Sequence, residues 1–327
     1  MALLPCFLAS CLLFPGKPPV PSRTLVFVGD VMLGRGVAQA LDGDWEAAFA
    51  EVRPWLAGAD VAFANLESPL TTAPQVSDGY DLRALPEATA ALHTAGFDVV
   101  SLANNHALDA GEAGLQETVD TLHTAEIGTL VDWSPIYQCT NVPTYHFLAF
   151  DDSVAPLNLK AATEVVAAAA EQAAVVIVSI HWGGEYQAAP GPRQQAVARA
   201  LSDAGAGVIV GHGPHVLQRV EWMGETLVAY SLGNFLFDQP YPADCCQSAI
   251  LRLTLRGDHI VAVEAIPTVV ERGRVRPAGP DDSAAILARL HPPIYQFPNL
   301  PIYQSINLPI YHDPLTSIPP RRPPGRD

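Results

Sequence analysis

The chain has 327 residues, of which 49% are hydrophobic, so it can bury a sizeable core and is not disordered as a whole. Its 34 acidic side chains outnumber its 18 basic ones and give a net charge of -16, which argues against a nucleic-acid backbone or an anionic lipid surface as the main partner. The five cysteines are an odd number without zinc-ribbon spacing, which makes a disulfide framework a poor explanation for them.

The amino-terminal segment, residues 1–22, is typical of a targeting sequence. Residues 1–14 are apolar apart from Ser10, and a proline-rich stretch follows them. The apolar run is too short to span a bilayer as a helix. Leu8-Ala9-Ser10-Cys11 resembles the lipobox of bacterial lipoproteins, in which the cysteine carries the lipid. A lipoprotein anchored at Cys11, a plain signal peptide and a misassigned start codon are the alternatives, and each leaves the folded part beginning near Arg23.

Apolar runs rich in Val, Ile and Phe alternate with segments of helical periodicity across residues 23–291, which predicts an α/β domain. Strands are predicted at Thr24–Asp30, Asp60–Asn65, Asp98–Ala103, Tyr145–Phe150, Val175–His181, Val208–Gly211 and Thr226–Leu232. Helices are predicted at Trp45–Trp55, Pro86–Ala95, Glu112–Ala125, Lys160–Ala174, Pro192–Asp203 and Ser283–His291. Two alternating runs, Ser248–Arg256 and His259–Ile266, predict a hairpin that turns at Gly257-Asp258.

Polar side chains follow most of the predicted strands at the point where each strand ends. They are Asp30, Asn65, Glu67, Asn104, Asn105, His106, His181, His212 and Asn234. Open α/β sheets bind their ligands at the carboxyl ends of the strands. A single polar residue at such a position is more often a cap or a turn residue, but the whole set predicts one shared site.

The residue types in this set suit a metal centre. Asn65 and Glu67 are two apart, so both face one side of an extended stretch and can act as two ligands, or as a ligand and its orienting partner. A neutral imidazole at His181, His212 or His215 can bind a metal while its other ring nitrogen is held by an oxygen atom.

The last part of the chain, residues 292–327, has a different character. PPIYQFPN, LPIYQSIN and LPIYHDPL form an eight-residue repeat, which contains too many prolines for a helix or a central strand and is predicted to be disordered. A related stretch occurs at residues 134–138, inside the predicted domain. Our hypothesis is that both arose from translated repeat DNA or a disturbed reading frame and are not functional modules.

The motifs GDVMLGR, NLESPL, NNHALD, HWGGEY, GHGPHVLQ and AYSLGNFLFD, in this order over Thr24–Asp238, resemble the CapA family of poly-γ-glutamate capsule proteins. That family is related to calcineurin-like metallophosphoesterases. The resemblance implies a four-layer α/β/β/α metallophosphoesterase-like sandwich over residues 23–291, with a divergent insert at about 131–158. Met32 stands where metallophosphoesterases have a ligand histidine, and Gly213 stands where the family often has another histidine.

The resemblance also implies roles for individual residues. The implied metal ligands are Asp30, Glu67, Asn105, His181, His212 and His215. His106 is the implied catalytic acid or donor to the substrate. The residues implied to orient these ligands or to contact substrate are Asn65, Asn104, Glu185 and Asn234, and for Asn234 a plain strand cap is an equal alternative. The implied cofactor is a pair of divalent metal ions, with Mn, Fe or Zn favoured by oxygen and imidazole ligands.

These roles imply a capsule-synthesis protein that acts as a divalent-metal-dependent hydrolase on phosphoester or polyglutamyl amide bonds. The alternative is a non-catalytic accessory subunit of a membrane-bound polyglutamate synthase, and a third is a degraded paralogue whose insert and repeats impair folding. The expected partners are an anionic polymer such as poly-γ-glutamate or a phosphoester, together with membrane synthase subunits, and not a nucleic acid. The expected location is the outer face of the cytoplasmic membrane after export.

Overall fold

The computed structural model describes residues 21–132, 137–139 and 145–290. The predicted targeting segment with Cys11, the proline-rich repeat and parts of the divergent insert lie outside the described residues. The predictions made for them therefore stay predictions.

The described chain contains fourteen strands, which form two sheets. In chain order they are β1 (Ser22–Val31), β2 (Val61–Leu66), β3 (Val99–Ser101), β4 (Gly128–Leu130), β5 (Tyr137–Cys139), β6 (Tyr145–Asp151), β7 (Val175–His181), β8 (Ala206–His212), β9 (Val220–Met223), β10 (Thr226–Ala229), β11 (Asn234–Leu236), β12 (Gln247–Arg256), β13 (His259–Glu271) and β14 (Arg274–Pro277). The larger sheet has the order β14-β13-β12-β1-β2-β3-β4, with β11 pairing alongside β1, and the smaller has the order β5-β6-β7-β8-β10-β9.

Six of the seven helices in the described residues lie in connections between parallel strands, and the seventh follows the last described strand. The helices are α1 (Arg35–Leu41), α2 (Arg53–Ala57), α3 (Thr89–Ala95), α4 (Gly111–Thr124), α5 (Leu159–Ala170), α6 (Pro192–Asp203) and α7 (Pro280–Leu290). Short 3-10 helices lie at Trp45–Ala48, Pro86–Ala88 and Ala243–Cys246. The start of α5 shows local control by sequence, because the Asn158 side chain accepts a hydrogen bond from the Ala161 backbone N–H at 3.2 Å and so caps the helix.

The two sheets pack face to face, because the side chains of each inner strand alternate between two apolar layers. On β1, Phe27 lies in the core between the sheets, whereas Val26 and Val28 lie in the core under the first helices. Phe63 of the larger sheet stacks on Phe147 of the smaller one, with ring centroids 6.1 Å apart. Burial of each such ring contributes about 2 kcal/mol. Helices cover both outer faces, so the predicted four-layer α/β/β/α sandwich is confirmed.

Two predicted elements differ from the structure. The prediction of one continuous helix at Trp45–Trp55 is wrong, because the segment forms two separate helices. A 3-10 helix ends at Ala48, and α2 begins at Arg53 with Pro54 in its first turn, where a proline is tolerated. The strand predicted at Thr226–Leu232 ends at Ala229, after which the chain crosses to the larger sheet as β11. The short elements α1, β4, β5, β9, β11 and β14 were not predicted, since their length shows too little periodicity.

No helix within the described ranges is both long and apolar enough to cross a membrane.

Candidate metal centre

The candidate site lies where the carboxyl ends of strands from both sheets meet. In the larger sheet Asp30 of β1 is in register with Asn65 of β2. In the smaller sheet His181 of β7 is in register with His212 of β8. The two pairs approach each other across the sandwich, as the distance of 3.3 Å between Asp30 Oδ1 and His212 Nδ1 shows. Residues far apart in sequence are therefore neighbours at one end of the fold.

Asp30 is fully buried and faces two histidines. Its Oδ1 atom lies 3.3 Å from His212 Nδ1, and its Oδ2 atom lies 3.2 Å from His215 Nδ1. The Gly213 backbone N–H donates to Oδ2 at 3.4 Å. Burial by itself raises the pKa of Asp30, but the His212 and His215 imidazoles outweigh it and hold that pKa well below its ordinary value. Asp30 is therefore a carboxylate at neutral pH.

Glu67 is the second buried carboxylate, and only one of its two carboxylate oxygens has hydrogen-bond partners among the described residues. Its Oε1 atom accepts a hydrogen bond from Asn65 Nδ2 at 2.8 Å and lies 3.2 Å from His181 Nε2. Its Oε2 atom is buried without a hydrogen-bond partner among the described residues. The same Asn65 amide donates to Asp30 Oδ1 at 3.0 Å, so two carboxylates share one donor group. Buried carboxylate oxygens are normally paired, so this oxygen is free to serve as a metal ligand.

His181 has a defined tautomer, because the loop after β6 controls its outer nitrogen. The Ser153 hydroxyl donates to Asp151 Oδ1 at 2.5 Å, so Ser153 Oγ must accept the hydrogen of His181 Nδ1 at 3.1 Å. In the neutral ring the lone pair of Nε2 then faces Glu67 Oε1, and two acceptors oppose each other. Burial lowers the pKa of His181, but the hydrogen bond and charge of Glu67, helped by the charges of Asp30 and Asp151, raise it above 6.5. A proton or a metal cation resolves this contact.

His215 and His212 complete the histidine set. His215 Nδ1 lies 2.9 Å from Asn234 Oδ1. Burial lowers the pKa of His215, but the charge of Glu67 and the hydrogen bond and charge of Asp30 raise it to about 9. Both ring nitrogens of His212 are buried, and neither makes a hydrogen bond of good geometry in the described part of the chain, although Nδ1 lies 3.3 Å from Asp30 Oδ1. A buried imidazole in that state has the electron pair needed to bind a metal.

The loop after β3 places its polar residues in an order that differs from the predicted one. Asn104 is buried and donates to Asn65 Oδ1 at 3.1 Å, whereas Asn105 is exposed. The predicted ligand Asn105 is therefore not in the buried cluster, because the turn directs the preceding amide inward. His106 is half-buried beside it, and its Nδ1 atom lies 2.8 Å from Asp109 Oδ2. Asp109 thus orients His106.

The two departures from the family pattern have structural explanations. Met32 is fully buried in the core under the helices, and its sulfur accepts a hydrogen bond from the Gly34 N–H at 3.1 Å, so it offers no hard ligand. Gly213 has a φ of +101°, and a Cβ atom there would lie 2.9 Å from His181 Cε1. A histidine at position 213 would therefore need the His181 ring to move.

The predicted residue Glu185 is exposed, and its charge helps to raise the pKa of His215.

Several functional neighbours were not predicted from the sequence. Asp109 was not predicted as a site residue, although its spacing of three from His106 was a usable signal. Asp151 and Ser153 lie in the divergent insert, where no motif pointed to them.

The residues present fit a divalent cation. Asp30, Glu67 and His215 are all buried and offer ligand atoms that lie within 4.8 Å of one another. The unpaired Glu67 Oε2 atom and the unprotonated ring nitrogen of a neutral His212 add acceptors in the same cluster. This set contains oxygen and imidazole donors without a thiolate, which suits a hard or borderline divalent cation.

Comparisons with known proteins identify the family to which the chain belongs. A family described as bacterial capsule synthesis protein PGA_cap matches residues 24–130 and 137–239. The chain is 31% identical to the capsule biosynthesis protein CapA of Bacillus anthracis, over 78% of this chain and 69% of that protein. It is also 31% identical to the PGA biosynthesis protein CapA of Bacillus subtilis, over 78% of this chain and 73% of that protein.

Solved structures give a matching view of the fold. A crystal structure described as a novel phosphatase from Mycoplasma pneumoniae covers 81% of this chain with 97% of its own, at a TM-score of 0.52 and 13% identity. That likeness supports the metallophosphoesterase-like sandwich alone. The family match spans most of the described fold and includes every residue of the buried cluster, and so the chain belongs to the CapA-like family of bacterial capsule synthesis proteins.

Proposed function

We propose that this protein is a divalent-metal-dependent hydrolase that acts on phosphoester or polyglutamyl amide bonds in capsule synthesis. The observation that carries the proposal is the buried cluster of Asp30, Glu67 and His215, whose ligand atoms lie within 4.8 Å of one another. A cluster of two buried carboxylates is costly unless a cation compensates it.

The proposed ligands are the carboxylates and imidazoles of the cluster: Asp30, Glu67, His181, His212 and His215. Asn65 positions both carboxylates through one amide group, and Asn104 in turn donates to Asn65. The chemistry that a pair of divalent cations supplies in such a site is activation of water and polarisation of the bond to be cleaved. The number of cations and their identity as Mn, Fe or Zn are part of the proposal.

His106 is the proposed acid that protonates the leaving group. Asp109 Oδ2 lies 2.8 Å from His106 Nδ1, so that nitrogen carries a hydrogen and the ring orientation is fixed. Ser77 Oγ in turn donates to Asp109 Oδ1 at 2.8 Å. In the doubly protonated ring the Nε2 atom carries a second hydrogen, which passes to the leaving group and leaves the neutral imidazole with its Nδ1 hydrogen on Asp109. Positioned acids of this kind contribute about 100-fold or more to rate.

The proposed substrate class follows from the relatives, two of which are described as capsule or PGA biosynthesis proteins. An acidic chain with net charge -16 needs cations to hold an anionic polymer or a phosphoester, and the metal centre supplies them. The proposed location is the outer face of the cytoplasmic membrane, with synthase subunits as partners.

A second candidate is a non-catalytic accessory subunit of a polyglutamate synthase, which binds or guides the polymer. Met32 favours it, because this buried thioether takes the place of a ligand histidine and reduces the set available to a second cation.

Metal analysis and an activity screen separate the two candidates. Purified protein is supplemented with Mn²⁺, dialysed and assayed for metal, and then incubated with a chromogenic phosphodiester and with poly-γ-glutamate. The hydrolase proposal expects about two equivalents of metal and turnover of one substrate, with a loss of about 100-fold or more in His106→Ala at unchanged metal content. His181→Ala is expected to lose both metal and activity. The exposed His259→Ala is the matched control.

Less than about one equivalent of metal would contradict the metal-centre proposal itself. Full metal loading with turnover of neither substrate would favour the accessory subunit, and binding of poly-γ-glutamate without cleavage would support that assignment directly.

A further inference from the structure

A chain of side-chain hydrogen bonds runs from the metal-ligand candidate His215 to the protein surface. His215 Nδ1 lies 2.9 Å from Asn234 Oδ1, and Asn234 Nδ2 donates to Gln239 Oε1 at 2.9 Å. Gln239 Nε2 then donates to the hydroxyl of Tyr186 at 3.3 Å. Asn234 is fully buried, Gln239 is half-buried and Tyr186 is exposed.

The chemistry of the two amides determines which group donates and which accepts in each of these hydrogen bonds. Each amide has an oxygen that only accepts and an NH₂ group that only donates. Because Asn234 uses its NH₂ group on Gln239 Oε1, its oxygen is left for His215, and His215 Nδ1 must supply the hydrogen. Asp30 Oδ2, 3.2 Å from the same nitrogen, is a second acceptor for it. The unprotonated nitrogen of neutral His215 is therefore Nε2.

The backbone of the two loops supports the same arrangement. His215 has a φ of +59° and Tyr186 a φ of +61°, which is the left-handed region that residues with side chains rarely adopt. The Tyr186 N–H donates to Pro214 O at 2.8 Å, and the Tyr186 and His215 rings lie 6.3 Å apart. Strained backbone conformations persist where neighbouring contacts fix them, and such positions are often found at functional sites.

We propose that Gln239 is a positioning residue for His215. It fixes the Asn234 amide between itself and His215, so that His215 presents Nε2 to a cation, and it is braced from outside by Tyr186. This inference rests on the proposed function in one respect, since it takes His215 to be a metal ligand.

The test compares Gln239→Leu with Gln239→Glu in the full-length protein. The leucine variant removes both hydrogen bonds, whereas the glutamate variant keeps an acceptor for Asn234 and accepts a hydrogen bond from the Tyr186 hydroxyl. Mn²⁺ affinity is measured by calorimetry. In the metal-free protein, exchange protection of the His215 Nδ1 proton is measured by NMR, and the signal is assigned by its loss in His215→Gln. Gln172→Leu, in the exposed turn that follows α5, is the matched control.

We expect Gln239→Leu to weaken Mn²⁺ binding about tenfold and to lose protection of the His215 proton. Gln239→Glu is expected to keep that protection and to bind Mn²⁺ at least as well as the wild type. Unchanged protection in Gln239→Leu would overturn the inference, and so would a glutamate variant as impaired as the leucine variant. If the wild type binds no Mn²⁺ while the NMR difference holds, the positioning role stands and the proposed function fails.

Discussion

Two buried carboxylates face three histidines in the candidate site, and the charges of both carboxylates govern the ionisation of His181 and His215. Burial alone would lower the pKa of His181 and of His215, yet Glu67 and Asp30 raise both, and His215 reaches about 9. In return the imidazoles hold the pKa of Asp30 well below its ordinary value. Protons on the histidines thus provide positive charge that a metal cation can replace, so proton release is expected to accompany metal binding.

Glu67→Gln tests this balance directly. The charge of Glu67 is the largest influence that raises the pKa of His215, so its removal is expected to lower the pKa of His215 from about 9 toward 6.5, and that of His181 in the same direction. NMR titration of the histidine side chains in the metal-free protein measures both values. Glu112→Gln on the exposed face of α4 is the control. A His215 that still titrates near 9 in Glu67→Gln would show that the carboxylate is not responsible.

The same variant has a predicted effect on stability. A pKa that is raised in the folded state adds to the free energy of unfolding below the unfolded value of 6.5, and this contribution is lost as pH rises through about 9. The metal-free wild type is therefore expected to unfold at lower denaturant concentration at about pH 10 than at about pH 6. Glu67→Gln should show a smaller difference between these two conditions.

At the scale of single elements, the position of Asp30 depends on a close approach between β1 and β11. The Asp30 N–H donates to Gly233 O at 2.9 Å, and Asp30 is in register with Asn234 at the start of β11. A Cβ atom on Gly29 would lie 1.8 Å from that same Gly233 oxygen. Only a glycine at position 29 therefore allows the strand that carries Asp30 to lie against the strand that carries Asn234.

Gly29→Ala is expected to cost about 3 kcal/mol or more in the free energy of unfolding, because a methyl group cannot be accommodated without separating the two strands. The measurement is urea unfolding followed by circular dichroism. Gly279→Ala serves as the control, since a Cβ atom at that position meets no other atom within 4 Å. Equal stability of the two variants would mean that β1 and β11 are free to separate.

The strands that carry the site residues could be predicted from the sequence better than the loops and the short strand beside them. Apolar runs that end at or just before Asp30, His181 and His212 predicted the strands, since a buried run is a local signal, and the rule that parallel strands share their carboxyl edge predicted the meeting point. The β11 strand was not predicted, because its pairing with β1 is a long-range contact that leaves no periodic pattern in three residues. Ser153 and Gln239 were missed for a similar reason: each orients a site residue from a loop.

At the scale of the whole molecule, the fold extends beyond the region that the family match covers. That match ends at residue 239, yet β12 pairs with β1 along Ser22–Phe27 and so forms the centre of the larger sheet. Beyond it, Ile286 and Leu290 of α7 are buried in the core between the sheets. The elements after residue 239 therefore support β1, which carries Asp30.

Two truncations test where the folded unit ends. Deletion of residues 292–327 is expected to leave solubility, Mn²⁺ affinity and the unfolding midpoint unchanged, because it keeps Ile286 and Leu290, which are buried in the core between the sheets. Deletion from residue 280 onward also removes Ile286 and Leu290 and uncovers the core between the sheets, at a cost of about 4 kcal/mol. Thermal unfolding and metal titration of both proteins measure the difference. If deletion of residues 292–327 is enough to prevent folding, the repeat contributes to the structure. The hypothesis that it arose from translated repeat DNA or a disturbed reading frame and has no function would then be wrong.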